Sequence, residues 1–191
     1  GVMGSVYTNS QIPSSSGLGS SAAVTVATLS AINDEFSLNK SREEIANMAF
    51  EIEKKVQKGR ASPTDTTVSS YGGIVLISGG SRRRLPPQNL HLVIGDSLVS
   101  HSTARMVEQV GELKKKHPEI VDPILDAIEG VSMSAIHHLN NPRELGRYMD
   151  MNHALLDALG VGHPQLSKMV LASRGAGAFG AKITGAGGGG C

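Results

Sequence analysis

The apolar-rich stretch V-M-G-S-V-Y-T, Val2 to Thr8, reads as a strand. The pattern then changes abruptly. Residues Pro13 to Ala22 read P-S-S-S-G-L-G-S-S-A, with Leu18 the single bulky apolar residue among them. Directly after come A-V-T-V-A-T-L-S-A-I, apolar almost all round, which predicts a helix over 20–33 that is buried on most sides. Ser41 starts a second helix, and Glu44 three residues on completes a capping-box pattern. Ile45, Met48, Ile52 and Val56 recur at helical spacing and form the expected core stripe, with Gly59 as the stop. Pro63 opens a short helix that Gly72 and Gly73 end, and Ile74 to Ser78 follow as a strand. The stretch G-G-S-R-R-R-L-P-P reads as a turn and as the boundary between lobes 1–86 and 87–191. The second lobe opens on a strand, His91 to Gly95. Helical patterns follow over 102–117, 119–139, 142–159 and 164–175, then a short strand, Ala178 to Ile183. Strands lead each half and helices fill the rest, so the fold class is α+β in two lobes.

Composition narrows the function. The 191 residues carry a net charge of +1, which gives no overall field favouring nucleic acid or a membrane surface. Aromatics make up 3% and Trp is absent, against a base-stacking platform. Cys191 is the one cysteine, so an internal disulfide framework is excluded, which fits a reducing cytoplasm. The sequence contains no apolar run of about 18 residues. It starts without Met inside an expected strand and stops within T-G-A-G-G-G-G-C, so it reads as the middle of a longer protein.

The candidate chemistry begins at Gly17-Leu18-Gly19-Ser20-Ser21. Glycines let a backbone curl closely round an anion, and a helix start adds unpaired N–H donors and a positive dipole end. Serine hydroxyls can donate to phosphate or ligate Mg²⁺. The spacing matches neither the P-loop nor G-x-G-x-x-G. By pattern alone it fits a phosphate cradle or a flexible connector capped by serine. A second glycine loop, Gly185 to Gly190, follows Thr184. Two such loops in a short chain favour a long polyanion such as a nucleoside triphosphate.

Three acids stand out. Glu51 and Glu53 lie two apart on the second helix, about 200° apart round its axis, so one metal ion cannot easily take both. Glu51 has Lys55 four residues on and suits a surface ion pair. Glu53 shares a face with Ala46 and Ala49 at the edge of the stripe. A carboxylate there either stays at the surface or is partly desolvated and calls for a cation. Asp65, between Thr64 and Thr66 and just after Pro63, fits a helix-start acid or a carboxylate that takes a proton from a substrate hydroxyl. The seven histidines form no metal pattern, and His101 fits a surface loop better than a cleft. Arg82 to Arg84 suit a solvated turn, and Lys114 to Lys116 close a helix where cations suit the dipole. Cys191 has no base partner in sequence.

As a set, these motifs resemble the GHMP kinases, the family of galactokinase, homoserine kinase, mevalonate kinase and phosphomevalonate kinase. P-S-S-S-G-L-G-S-S-A is similar to the family's second signature and K-I-T-G-A-G-G-G-G-C to its third. Within the family, A-S-P-T-D-T-T-V-S-S-Y-G-G and M-N-H-A-L-L-D-A-L-G-V are most like the archaeal or bacterial mevalonate kinases. The resemblance implies a two-lobed GHMP kinase fold, with an N-terminal lobe like ribosomal protein S5 domain 2 and a ferredoxin-like C-terminal lobe, incomplete at both ends. It implies a Mg-ATP-dependent kinase acting on a small molecule, mevalonate, with neither nucleic acid nor membrane as partner. Family members are often homodimers. Pro13, Ser14, Ser15, Ser16, Gly17, Leu18, Gly19, Ser20, Ser21 and Ala22 would wrap the ATP phosphates, with Gly185, Gly187 and Gly188 from the other lobe. Ser21 would ligate Mg²⁺, with Ser20 second in line, and Glu53 would be the other ligand. The spacing to S-P-T-D leaves Glu51 in play. Asp65 would be the acidic residue beside the substrate hydroxyl, orienting or deprotonating it. The family's first signature, P-G-K-x-x-x-x-G-E-H, has no match here, and Lys54, Lys55 and Lys58 lie in the wrong place to replace its lysine. Alternatives within the resemblance are a kinase for phosphomevalonate, homoserine or a sugar, and an inactive nucleotide-binding relative.

Overall fold

The computed structural model describes residues 4–12, 16–57, 61–100 and 102–191. These form seven helices and one hairpin: α1 Ser20–Glu35, α2 Arg42–Val56, α3 Pro63–Tyr71, β1 Val75–Ser78, β2 Ser81–Arg84, α4 Thr103–Lys116, α5 Pro118–Ile136, α6 Pro142–Ala158 and α7 Pro164–Gly175. Every predicted helix is present within two or three residues at its ends. The local reasons are those expected of helix starts. The Ser41 hydroxyl accepts from the Glu44 N–H while the Glu44 carboxylate accepts from the Ser41 N–H, a complete capping box. Ser62, Ser102, Asn141 and His163 cap α3, α4, α6 and α7 with their side chains. Proline at the first turn of α3, α5, α6 and α7 gives up an N–H that has no intrahelical partner there. The expected stop at Gly59, the start of the 2–8 strand and His101 lie outside the described residues.

Contacts divide the chain into two compact units. The first holds Gly19–Pro87 and the described part of 1–14. The second holds Gln88–Cys191 and the described part of 15–18. In the first unit α2 packs on both α1 and α3. The face that packs is not the expected stripe. Ile45 is buried, but Met48, Ile52 and Val56 are exposed, and the covered positions are Ile45, Ala46, Ala49 and Glu53. Small residues let the helix axes approach, so Ala46 and Ala49, both 0% exposed, take the contact in place of the larger apolar side chains. Val26 of α1 joins Ile45 and Ala49 in this core, with Leu29 against it. Helix α1 is less covered than its composition suggests. Ala22 and Val26 are buried, whereas Val24, Ala27, Ala31 and Ile32 are exposed.

Of the expected strands, the one at 74–78 forms. The arginine stretch is a correction. Only Gly79 and Gly80 turn, both at positive φ, and Ser81–Arg84 pair antiparallel with β1 in the register Val75↔Arg84 to Ser78↔Ser81. The other three strands do not form among the described residues. Residues 6–12 instead lie along Ala23, Val24, Ala27 and Ala31 of α1, enclosing a groove of about 380 Å³. Residues 91–95 find no ladder partner, and Val93 is fully exposed. Residues 178–183 direct their polar groups elsewhere: the Ala181 N–H donates to the Asp150 carboxylate at 2.9 Å, which also takes the Arg174 guanidinium at 2.7 Å. An extended segment becomes a strand only when a neighbour completes its ladder.

In the second unit Val161, Leu166 and Ile183 form the core, with Val110 and Leu156 against it. Helix α6 meets the 179–180 segment backbone to backbone. A Cβ placed on Gly146 would lie 2.3 Å from the Phe179 carbonyl, and one on Gly180 would lie 1.9 Å from the Gly146 oxygen. Gly→Ala inside a helix ordinarily stabilises by up to about 1 kcal/mol. At Gly146 the sign reverses, because the methyl must displace main chain. Gly146→Ala should destabilise the protein by about 1–3 kcal/mol, the usual range for overpacking, measured by chemical denaturation.

Candidate functional site

Helix α1 begins at Gly19, which has φ +70 and caps it with no side chain. Among the described residues α1 and α5 are the helices that start without a side-chain cap, and α5 starts on Pro118. The first N–H groups of α1 have no intrahelical acceptor and stand at the positive end of the helix dipole. Ser20 and Ser21 occupy this first turn, and Ala22 is buried beneath it. Gly19 also lets an acid approach. A Cβ there would lie 3.2 Å from the Asp65 carboxyl carbon. Asp65 sits in the first turn of α3, placed by the Ser62 cap and Pro63.

Glu53 lies on the packed face of α2, 5% exposed. The surface alternative for this residue is therefore excluded. One carboxylate oxygen, Oε1, accepts from the Ser21 hydroxyl at 2.7 Å and the Thr25 hydroxyl at 3.1 Å. The other, Oε2, accepts from the Gln57 side-chain amide at 2.8 Å. These donors are neutral, so the charge is solvated by dipoles, with no described cation paired to it. Ser21, not Ser20, makes the contact, and Glu51 does not share it: Glu51 lies at the surface 3.8 Å from Lys54, not from the expected Lys55. Thr25 and Gln57 are absent from the sequence expectations. Both lie four residues after a candidate ligand on the same helix, at 21/25 and 53/57, and that spacing was the available signal. Thr66 and Thr67, beside Asp65, are fully buried, and the Thr67 hydroxyl has no hydrogen-bond partner among the described residues.

Within the second unit the two glycine segments lie side by side. The Cys191 N–H donates to the Ser16 carbonyl at 3.0 Å, and the Thr184 hydroxyl to the Gly17 carbonyl at 3.4 Å. Gly17, Gly185, Gly187 and Gly188 have positive φ. Gly187 is needed for close packing, because a Cβ would lie 2.2 Å from the Val161 oxygen. The Gly188 N–H donates to that same oxygen and the Gly190 N–H to the Val99 carbonyl, so part of this loop's donor capacity holds the loop itself. Pro13, Ser14 and Ser15 lie outside the described residues. Cys191 is buried, and its thiol is pushed above its usual pKa by burial and the Asp96 charge, which keeps it protonated and unreactive. Beside the loop, burial lowers the pKa of Lys182, whose ammonium donates to the Ile183 carbonyl at 2.7 Å. No group of three or more His, Cys, Asp or Glu among the described residues is arranged to hold a metal ion. No described helix is long and apolar enough to cross a membrane.

Burial first, and the Glu53 charge second, push the Asp65 pKa above the ordinary carboxylate value. A carboxyl with a raised pKa favours the fold when protonated. Asp65 therefore costs stability at neutral pH, and the cost fades as the pH falls through its raised pKa toward 3.8. Asp65→Asn should accordingly raise the melting temperature at pH 7. That advantage should shrink on acidification and vanish below the ordinary aspartate value, as followed by thermal denaturation across a pH series.

The chain as a whole is similar to known proteins. The description "GHMP kinases N terminal domain" matches residues 2–73, and "GHMP kinases C terminal" matches residues 132–191. The mevalonate kinase of Pyrococcus abyssi is 44% identical over 194 residues, covering 98% of this chain and 58% of the relative. That of Methanothermobacter thermautotrophicus is 43% identical over 187 residues, covering 94% and 60%. The chain is similar in structure to the L. major mevalonate kinase in complex with R-mevalonate, with a TM-score of 0.78 at 30% identity over 92% of this chain and 56% of that one. It is also similar to the Methanococcus jannaschii mevalonate kinase, with a TM-score of 0.71 at 31% identity over 96% and 57%. The chain thus spans about 58% of the length of the first curated relatives it matches.

Proposed function

The chain belongs to the GHMP kinase family, and we propose that it is part of a mevalonate kinase, transferring the γ-phosphoryl group of ATP to the 5-hydroxyl of (R)-mevalonate. The observation that carries this reading is the convergence of Gly19, Ser21, Glu53 and Asp65 at the uncapped start of α1. Phosphoryl transfer needs little covalent chemistry from the protein; it needs positioning and neutralisation of charge. Residues 13–22 are proposed to wrap the phosphates, with the α1 amides donating to their oxygens. Gly185, Gly187 and Gly188 are the proposed second contributing loop. We read 1–86 as the ATP-binding N-terminal lobe and 87–191 as the C-terminal lobe of a cytoplasmic enzyme.

Asp65 is the proposed base. Its carboxylate would accept the proton of the attacking hydroxyl, and its raised pKa brings it closer to the working pH, where a general base is most effective. The donor set at Glu53 and Ser21 suits a hard cation: a buried carboxylate and a hydroxyl, both oxygen, with water and phosphate to complete the shell. Mg²⁺ held by Ser21 and Glu53 would neutralise charge on the phosphates.

The test is ATP-dependent phosphorylation of mevalonate by the full-length protein, followed by coupled ADP release. Turnover with phosphomevalonate, homoserine or a sugar in place of mevalonate would change the acceptor. Nucleotide binding without transfer would overturn the catalytic reading. Asp65→Asn should lower kcat by at least about 10²-fold, the low end for loss of a general base, and near-normal turnover would remove Asp65 from that role.

A further inference from the structure

We propose that Gln57 and Thr25 are positioning residues that hold the Glu53 carboxylate in its cation-binding orientation, an inference that rests on the proposed Mg²⁺ site at Ser21 and Glu53. Glu53 has three rotatable side-chain bonds, and its last torsion is broad and soft. A carboxylate left to itself would sample many orientations. Here it cannot, because each oxygen has its own donor. Oε1 takes the Ser21 and Thr25 hydroxyls at 2.7 and 3.1 Å, and Oε2 takes the Gln57 amide at 2.8 Å. The carboxylate plane is thereby fixed between α1 and the end of α2.

The two helpers differ in kind. Gln57 is the C-cap of α2, and its own N–H donates to the Glu53 carbonyl at 2.8 Å. Its side chain is thus anchored one turn beyond the residue it holds. Thr25 has one proton and two acceptors within reach, Glu53 Oε1 and the Ser21 carbonyl, both at 3.1 Å. It can stay on the carboxylate or turn back onto its own helix when Glu53 spends that lone pair on a cation. Gln57 therefore sets the orientation and Thr25 adjusts the electron density left on Oε1. Groups that orient a metal-binding carboxylate typically change metal affinity 10–100-fold when removed. A purely structural role would instead show as lost stability at unchanged affinity.

The probe is Mn²⁺, titrated into the full-length protein with ADP present and read by electron paramagnetic resonance of the free ion. Gln57→Leu and Thr25→Val should each weaken Mn²⁺ binding about tenfold or more, while Thr25→Ser, which restores the hydroxyl, should stay within about twofold of the parent. Glu53→Gln separates the two levels of the argument. If it leaves Mn²⁺ affinity unchanged, the proposed cation site is wrong and this inference falls with it. If Glu53→Gln abolishes binding while Gln57→Leu and Thr25→Val bind as the parent does, the cation site stands and the positioning role is overturned. Should Gln57→Leu fail to fold, the contrast between Thr25→Val and Thr25→Ser decides.

Discussion

A carboxylate with almost no solvent contact, Glu53, organises the first unit. Taking such a charge out of water costs several kcal/mol unless dipoles replace the lost hydration. The replacement comes from three side chains on two helices, and it works only if those helices run close together. That requirement explains the alanine at 49, fully covered and packed with Val26 of α1, where a larger residue would push α1 and α2 apart. It also explains why the face of α2 that holds Ile45 is otherwise small and polar, while Met48, Ile52 and Val56 are left outside. Gly19 extends the same logic to Asp65: with no Cβ, the start of α1 can sit against a second carboxyl. Burial first, and the nearby Glu53 charge second, raise the energy of the ionised Asp65 carboxyl. Strained electrostatics of this kind are characteristic of places where chemistry is done.

The second unit is held by a different device. Main chain meets main chain at Gly146 and Gly180, and at Gly187 and Val161. Asp150 ties the 178–183 segment to α7 through Arg174 and the Ala181 N–H. The terminal glycine segment is consequently fixed, although its composition alone suggests a frayed tail. A loop proposed to contact a polyanion benefits from being preorganised, since ordering it on binding would reduce affinity. Some of its amides are committed to that ordering, and the remainder set what the loop can offer a ligand.

Helices were the legible part of the sequence because their signals are local. Ser41 with Glu44, Pro63 after Ser62, and Asn141 before Pro142 each act within one turn, and each produced the expected start. Strands were legible only where a tight turn made the partner local as well, as at Gly79-Gly80. Even there Arg82 to Arg84 pair with β1, although three consecutive charges suit a solvated turn. The buried face of α2 departs from its large apolar stripe for a related reason. Large apolar residues mark burial in sequence, but close helix packing selects small ones. Glu51 and Glu53 could be told apart only by helical angle, and their difference in burial followed from which face α1 and α3 cover.

By itself, then, the sequence determined the helices, their caps, the two glycine segments and the membership of the family whose motifs it carries in order. Tertiary structure alone decided that Ser21 and Thr25 meet Glu53 across 32 and 28 residues, that Gln57 completes the set, and that Asp65 reaches Gly19. The physical reason is range. Helix propensity, capping and turn geometry act over a few residues and are written in adjacent letters. The solvation of a buried charge is settled by whichever donors the packing of whole helices brings to it.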